Sequence, residues 1–278
     1  MPDTAVIALD AMGGDFGPDV VVPAAAKILS RNDALRIVLV GDEERLRACA
    51  QKNKIKLDDK LTVQHASEVV EMHDEPAFAM RKKKDSSMRV AINLVHDGQA
   101  DAVVSAGNTG ALMATAKFVL KTLPGIDRPA ICTTIPSKDG HTHMLDLGAN
   151  VDCTAEHLFQ FAVMGSVMTE AIDNIDKPRV GLLNIGSEAM KGNAQVKAAD
   201  EYLADAPLNY IGFVEGDDIY SDKVDVVVCD GFVGNISLKT AEGVARLISY
   251  YMKQEFKQGP VSYTHLRAHE TERTISDA

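Results

Sequence analysis

The chain has 278 residues, 46% apolar and 25% charged with no Trp, which suffices for one large core or two smaller ones and excludes a disordered or fibrous protein. Its 29 Lys and Arg against 40 Asp and Glu leave a net charge of −11, which argues against a general nucleic-acid binder, because such a protein needs a basic surface to displace counterions. The cysteines at 49, 132, 153 and 229 form no CxxC pair, so neither a zinc site nor a disulfide framework is indicated, and no metal is expected.

Short runs rich in Val, Ile and Leu recur along the chain, each ending in Gly, Asp or Asn: 6–10, 37–41, 102–107, 144–150, 180–186, 210–216 and 224–231. Continuous apolar runs of this length predict strands buried on both faces. Between them the spacing predicts helices over 20–30, 43–51, 88–96, 111–121, 155–171, 194–203 and 236–256. Strand, Gly-rich turn and helix alternate, which predicts an α/β fold: three layers, α/β/α, around a mostly parallel sheet. Residues 1–260 are read as one domain, with Leu123–Arg128 the best candidate for a turn between two lobes. No apolar run approaches the roughly 18 residues of a membrane span, and the start MPDTAVIALDAMGGD lacks a basic leader, so a soluble, cytoplasmic protein is expected.

Residues 261–278 break with this pattern: VSYTHLRAHETERTISDA carries two His, two Arg and Thr/Ser clusters without apolar periodicity. Val261–Thr271 resembles a translated sequencing adapter, so the segment is read as a non-native tail on a chain cut short near Pro260, and His265 and His269 carry no functional weight. A genuine disordered polar tail is the alternative.

An open parallel sheet binds ligands beyond the carboxyl ends of its strands, so the Gly/Asp/Asn turns are where function is sought. The chain has no GxxxxGK[ST], and DAMGGDFGP lacks GxGxxG spacing, so ATP and NAD lose weight and no cofactor is expected. There remain the turns at 10–15, 105–110, 146–150, 184–188, 215–218 and 230–235, each of which could also serve only to reverse the chain. Arg81, Lys82, Lys83 and Lys84 form a cationic run in an acidic chain, just before a helix that Ser86 or Asp85 can cap. Such a run suits a phosphate or an acidic partner, or is an ordinary solvated face. Lys191 and Asn193 follow the NIGSE turn and could add a cation and a donor.

Taken in order, seven blocks resemble the bacterial phosphate acyltransferase family: IALDAMGGDFGP, EPAFAMRKKKDSSM, VVSAGNTGALMA, RPAICTTIP, MLDLGANVDCTAEHLFQFAVMG, RVGLLNIGSEAMKGN and VVVCDGFVGNISLKTAEG. The resemblance spans Ile7 to about Lys257 and implies a fold related to phosphotransacetylases and isocitrate-type dehydrogenases. It implies an enzyme that makes acyl phosphate from acyl carrier protein thioesters and inorganic phosphate at the start of phospholipid synthesis. It further implies a homodimer with peripheral membrane contact, whose product passes to a membrane glycerol-3-phosphate acyltransferase.

Phosphate is anionic at neutral pH, so this reaction needs two negative reactants held together and an oxyanion stabilised, rather than a strong base. No GxSxG elbow is present, and Cys132 and Cys153 lack a companion at motif spacing. His157 could protonate the leaving thiolate or serve as a packed or capping residue. The catalytic contacts are assigned to Asn108, Thr109, Lys191 and Asn193. Substrate contacts are assigned to Gly13, Gly14, Gly107, Asn150, Asn235, Ser86 and Arg81 to Lys84. The acidic carrier protein would meet the Arg81–Lys84 run, and the apolar positions of residues 243–256 could face membrane, a second copy or core. Competing readings are a phosphotransacetylase using acyl-CoA, a non-catalytic acyl-carrier or lipid-binding module, and a dehydrogenase.

Overall fold

In the computed structural model, which describes residues 4–258, the Val- and Ile-rich runs form strands that are shared between two sheets, one in each of two units into which the chain divides after Pro129. The first unit contains β1 (Ala5–Asp10), α1 (Pro18–Leu29), β2 (Leu35–Gly41), α2 (Glu43–Lys52), β3 (Leu61–His65), α3 (Pro76–Lys82), α4 (Ser87–His96), β4 (Ala102–Ser105) and α5 (Thr109–Leu120). Its strands lie in the order β3-β2-β1-β4, all parallel. Successive residues of β2 face opposite ways, as a strand requires. Ile37 and Leu39 join Val22, Leu46 and Cys49 beneath α1 and α2, while Val38 and Val40 join Ala8, Ala91 and Leu94 beneath α4.

The second unit contains β5 (Cys132–Pro136), β6 (His141–Leu145), α6 (Ala155–Asp173), β7 (Val180–Leu183), α7 (Ala194–Ala204), β8 (Tyr210–Val214), β9 (Val226–Val228) and α8 (Gly231–Gln258). The order is β5-β6-β9-β7-β8, with only β5 antiparallel to its neighbour. Leu145, Leu182, Val226 and Val228 pack against Leu158 and Phe161 of α6 and Leu203 of α7. Met144 and Val227 face the other way, toward Ile135, Ile219 and Leu238.

The layers and parallel pairing are as the sequence predicts, but the strands form two sheets rather than one. The sequence reading missed β3, β5 and α3. LTVQH of β3 lies on a sheet edge and interrupts its apolar residues with Thr and Gln, CTTIP of β5 is held by antiparallel pairing with β6, and α3 is only 7 residues long behind a Pro. Along α8, Val244, Leu247, Ile248, Tyr251 and Met252 are each about half exposed, so among the described residues no core covers them. The segment assigned as a non-native tail lies outside the described residues.

Candidate active site

Parallel pairing puts the turns that follow β1 and β4 side by side, since Asp10 and Ser105 are register partners on neighbouring strands. Asp10 is buried at 1% exposure, and its carboxyl oxygens accept from the amides of Met12 (3.3 Å) and Gly13 (3.2 Å) and from the Ser105 hydroxyl (2.6 Å). Ser105 Oγ in turn accepts from the Gly107 amide at 3.0 Å. The two turns are thereby fastened to one carboxyl group. Gly13 is required by this closeness, because a Cβ there would lie 2.6 Å from Asp10 Oδ2 and 3.0 Å from the Gly107 nitrogen. Gly14 turns the chain at φ +82°, which side chains rarely adopt.

Asn108 is the N-cap of α5: its Oδ1 accepts from the Ala111 amide at 3.0 Å, while Nδ2 donates to the carbonyls of Met72 (3.0 Å) and Asp74 (2.9 Å). These bonds occupy the side chain structurally. Thr109 follows as the exposed first residue of the helix, where the amides have no intrahelical acceptor and the dipole favours an anion. Ser86 caps α4, as one of the two candidates named from the sequence, accepting from the Arg89 amide at 3.3 Å and donating to the Lys83 carbonyl. Asp85 instead accepts from the Ser67 hydroxyl and amide, the hydroxyl bond first among the causes that hold its carboxyl below the usual range.

The cationic run divides. Arg81, Lys82 and Lys84 are exposed, whereas Lys83 Nζ is turned inward to Asp74 (2.6 Å) and the Val69 carbonyl (2.7 Å). The hydrogen bond from Lys83, then that from the Glu71 amide, hold Asp74 below its ordinary pKa. Lys83 is thus committed to partners within the chain, unlike its exposed neighbours in the run assigned to substrate contact.

In the second unit the turns after β6, β7, β8 and β9 gather at one sheet end. Asp146, fully buried, receives the amides of Ile131 (2.9 Å), Ala149 (3.1 Å) and Asn150 (2.7 Å) and the Asn150 side-chain amide (2.8 Å). Asn150 is therefore a buried brace of its own turn. Asn193 caps α7 through the Val196 amide at 2.8 Å and lines two recesses, of about 310 and 420 Å³, that both include Val196, Asp230 and Val233. Lys191 is exposed, with Nζ 3.5 Å from Glu188, and its carbonyl accepts from Asn184. Asn235, exposed in the first turns of α8, lies over Gly148.

His157 is buried at the third position of α6 and completes a capping box with Thr154, accepting from its amide at 3.1 Å. The capping alternative is the one realised. Burial raises the Cys132 thiol to about 11 and pushes Cys229 well above its ordinary value, so neither is a ready nucleophile. Asp10, Ser105 and Asp146 were not assigned to the site from the sequence, although an Asp at a strand end before a Gly turn is the signature of a side chain binding nearby amides.

A family model described as fatty acid synthesis protein matches residues 5–269. The chain belongs to this family. It is 64% identical over 258 residues to a phosphate acyltransferase of Alkalilimnicola ehrlichii, covering 93% of this chain and 75% of that protein. A phosphate acyltransferase of Methylococcus capsulatus is 65% identical over 250 residues, covering 90% and 74%. Among solved structures, a phosphotransacetylase from Streptococcus pyogenes superposes with a TM-score of 0.65 at 23% identity, over 87% of this chain and 82% of that one, a likeness of fold. No helix among the described residues is long and apolar enough to cross a membrane.

Proposed function

We propose that the chain transfers the acyl group of an acyl carrier protein thioester to inorganic phosphate, as an early step of phospholipid synthesis. The relatives named phosphate acyltransferase support the reaction class. The observation that carries the residue assignment is the pair of turns fastened to Asp10, which leads into the open amides of α5 at Thr109. A phosphate oxygen attacks the thioester carbonyl, a C–O bond forms, the C–S bond breaks, and the phosphate proton passes to the departing thiolate. The chain has to hold phosphate and stabilise the carbonyl oxyanion, which amide donors and cations do without a general base. Thr109, Gly107, Gly13 and Gly14 supply the backbone approach to the ligand, and Lys191, Asn193 and Asn235 are further polar contacts. Asn108, Asn150 and Ser86 set the geometry of the turns that carry these contacts.

Arg81, Lys82 and Lys84, exposed on a chain of charge −11, form the face that the acidic carrier protein meets. The half-exposed apolar side of α8 serves the homodimer, which contacts the membrane peripherally and delivers acyl phosphate to a membrane glycerol-3-phosphate acyltransferase. The test is acyl-ACP incubated with and without phosphate, with acyl phosphate trapped by hydroxylamine. Phosphate-dependent hydroxamate is expected. Intact thioester with folded protein would instead leave a binding module, and equal turnover of acyl-CoA would move the reading to a phosphotransacetylase. Replacing Arg81, Lys82 and Lys84 together by Ala is expected to raise KM for acyl-ACP about tenfold with little change in kcat.

A further inference from the structure

At the far end of β6 from Asp146, a second cluster has no part in this chemistry. His141 and His143 are two apart on a strand, so both rings stand on one face, and they converge edge-on with centroids 4.9 Å apart. Both direct Nε2 at the same oxygen of Asp173, the last residue of α6, at 3.0 and 2.8 Å. The three donor atoms lie within 4.8 Å of one another. We propose that His141, His143 and Asp173 form a binding site for a divalent transition-metal ion of the zinc class.

Four observations support this. Two imidazole nitrogens and one carboxylate are a ligand set that such ions take, with a fourth position open to water. Bonds of about 2.0–2.1 Å in a tetrahedral site put ligand atoms roughly 3.3–3.4 Å apart, so an ion could enter after the His–Asp contacts lengthen by a few tenths of an ångström. The cluster is preorganised: His143 is 4% exposed, and its Nδ1 lies 3.4 Å from the hydroxyl of Thr134, its register partner on β5, which orients the ring from behind. Finally, His141 and Asp173 line a recess of about 400 Å³ that gives water and ion a way in, and its wall adds the acidic side chains Asp139, Asp222 and Asp225. Arg179, the cation there, is already bound to Asp225 through two hydrogen bonds of 2.8 and 3.0 Å.

His143 lies three residues before Asp146, about 10 Å along the strand. The ion would therefore touch no reacting atom, and it would tie the end of α6 to the sheet.

The experiment uses the full chain, stripped with a chelator in phosphate-free buffer and titrated with Zn²⁺ by calorimetry and with Co²⁺ by visible absorption. One equivalent, a tetrahedral Co²⁺ spectrum and a melting temperature raised by about 5 °C or more at hundredfold excess over Kd are expected. His141→Ala, at an exposed position, and Asp173→Asn should each weaken binding at least tenfold. Asp222→Asn, in the same recess, should not. Unchanged affinity in His141→Ala would overturn the proposal, as would loss of binding in Asp222→Asn or in a His265→Ala/His269→Ala variant, or absence of one-to-one binding.

Discussion

Asp10 and Asp146 solve the same problem in the two units by different means. Each is a buried Asp at the end of a strand whose carboxyl gathers the donors of the Gly-rich turn that follows. Asp10 takes two backbone amides of its own turn and a side chain from the neighbouring strand, the Ser105 hydroxyl, whereas Asp146 takes three backbone amides and the side-chain amide of Asn150. Backbone donors cannot be removed by substitution and cannot rotate away. With one backbone donor more, Asp146 is the more firmly held, and the Ser105 hydroxyl is the donor of Asp10 that can turn away. The difference teaches that these carboxyl groups are scaffolding, since their oxygens are engaged by the donors of the turns they hold.

The sharpest test of this contrast is Asp146→Ala, which strands four donors in a buried turn and should cost about 4 kcal/mol in chemical denaturation. Asp10→Ala removes three weaker or more adaptable bonds and should cost about 2–3 kcal/mol; a cost equal to that of Asp146→Ala would erase the distinction. The two capping asparagines repeat the contrast at smaller scale. Asn108→Ala loses a cap and two bonds to the 72–74 loop, about 2 kcal/mol, against about 1 kcal/mol for Asn193→Ala, which loses the cap alone. The smallest effect is Lys83→Ala, about 1 kcal/mol at neutral pH. Because folding depresses Asp74 below its ordinary value of 3.8, its stabilisation is present above that pH and is lost as pH falls through the lower folded value. The stability gap between Lys83→Ala and the parent should accordingly shrink in denaturation curves taken below about pH 4, and a constant gap would separate Lys83 from Asp74.

Much of this was legible along the chain. β1, β2, β7 and β9 are apolar runs because parallel strands are covered on both faces, and the caps Ser86 and His157 lie within three residues of the amides or turns they serve. Edge strand β3 and antiparallel β5 were not legible, since their pairing, rather than their own pattern, makes them strands. Of the candidate site, the sequence placed the glycine turns, the cationic run and Asn193 at the correct strand and helix ends. It could not distinguish inward Lys83 from its exposed neighbours, because Asp74 and Val69 reach it from 9 and 14 residues away.

What the sequence determined by itself is therefore whatever local periodicity and short-range hydrogen bonding decide: the elements with a pattern of their own, their alternation, the turns and the family to which those ordered turns are similar. The tertiary structure alone decided the division into two sheets, the fastening of neighbouring turns to Asp10 across 95 residues, and the meeting of His141 and His143 with Asp173 across about 30. Those depend on which strands pair and which helix end lands beside them, and the free energy that selects such pairings comes from burial of the whole core rather than from any segment of the chain.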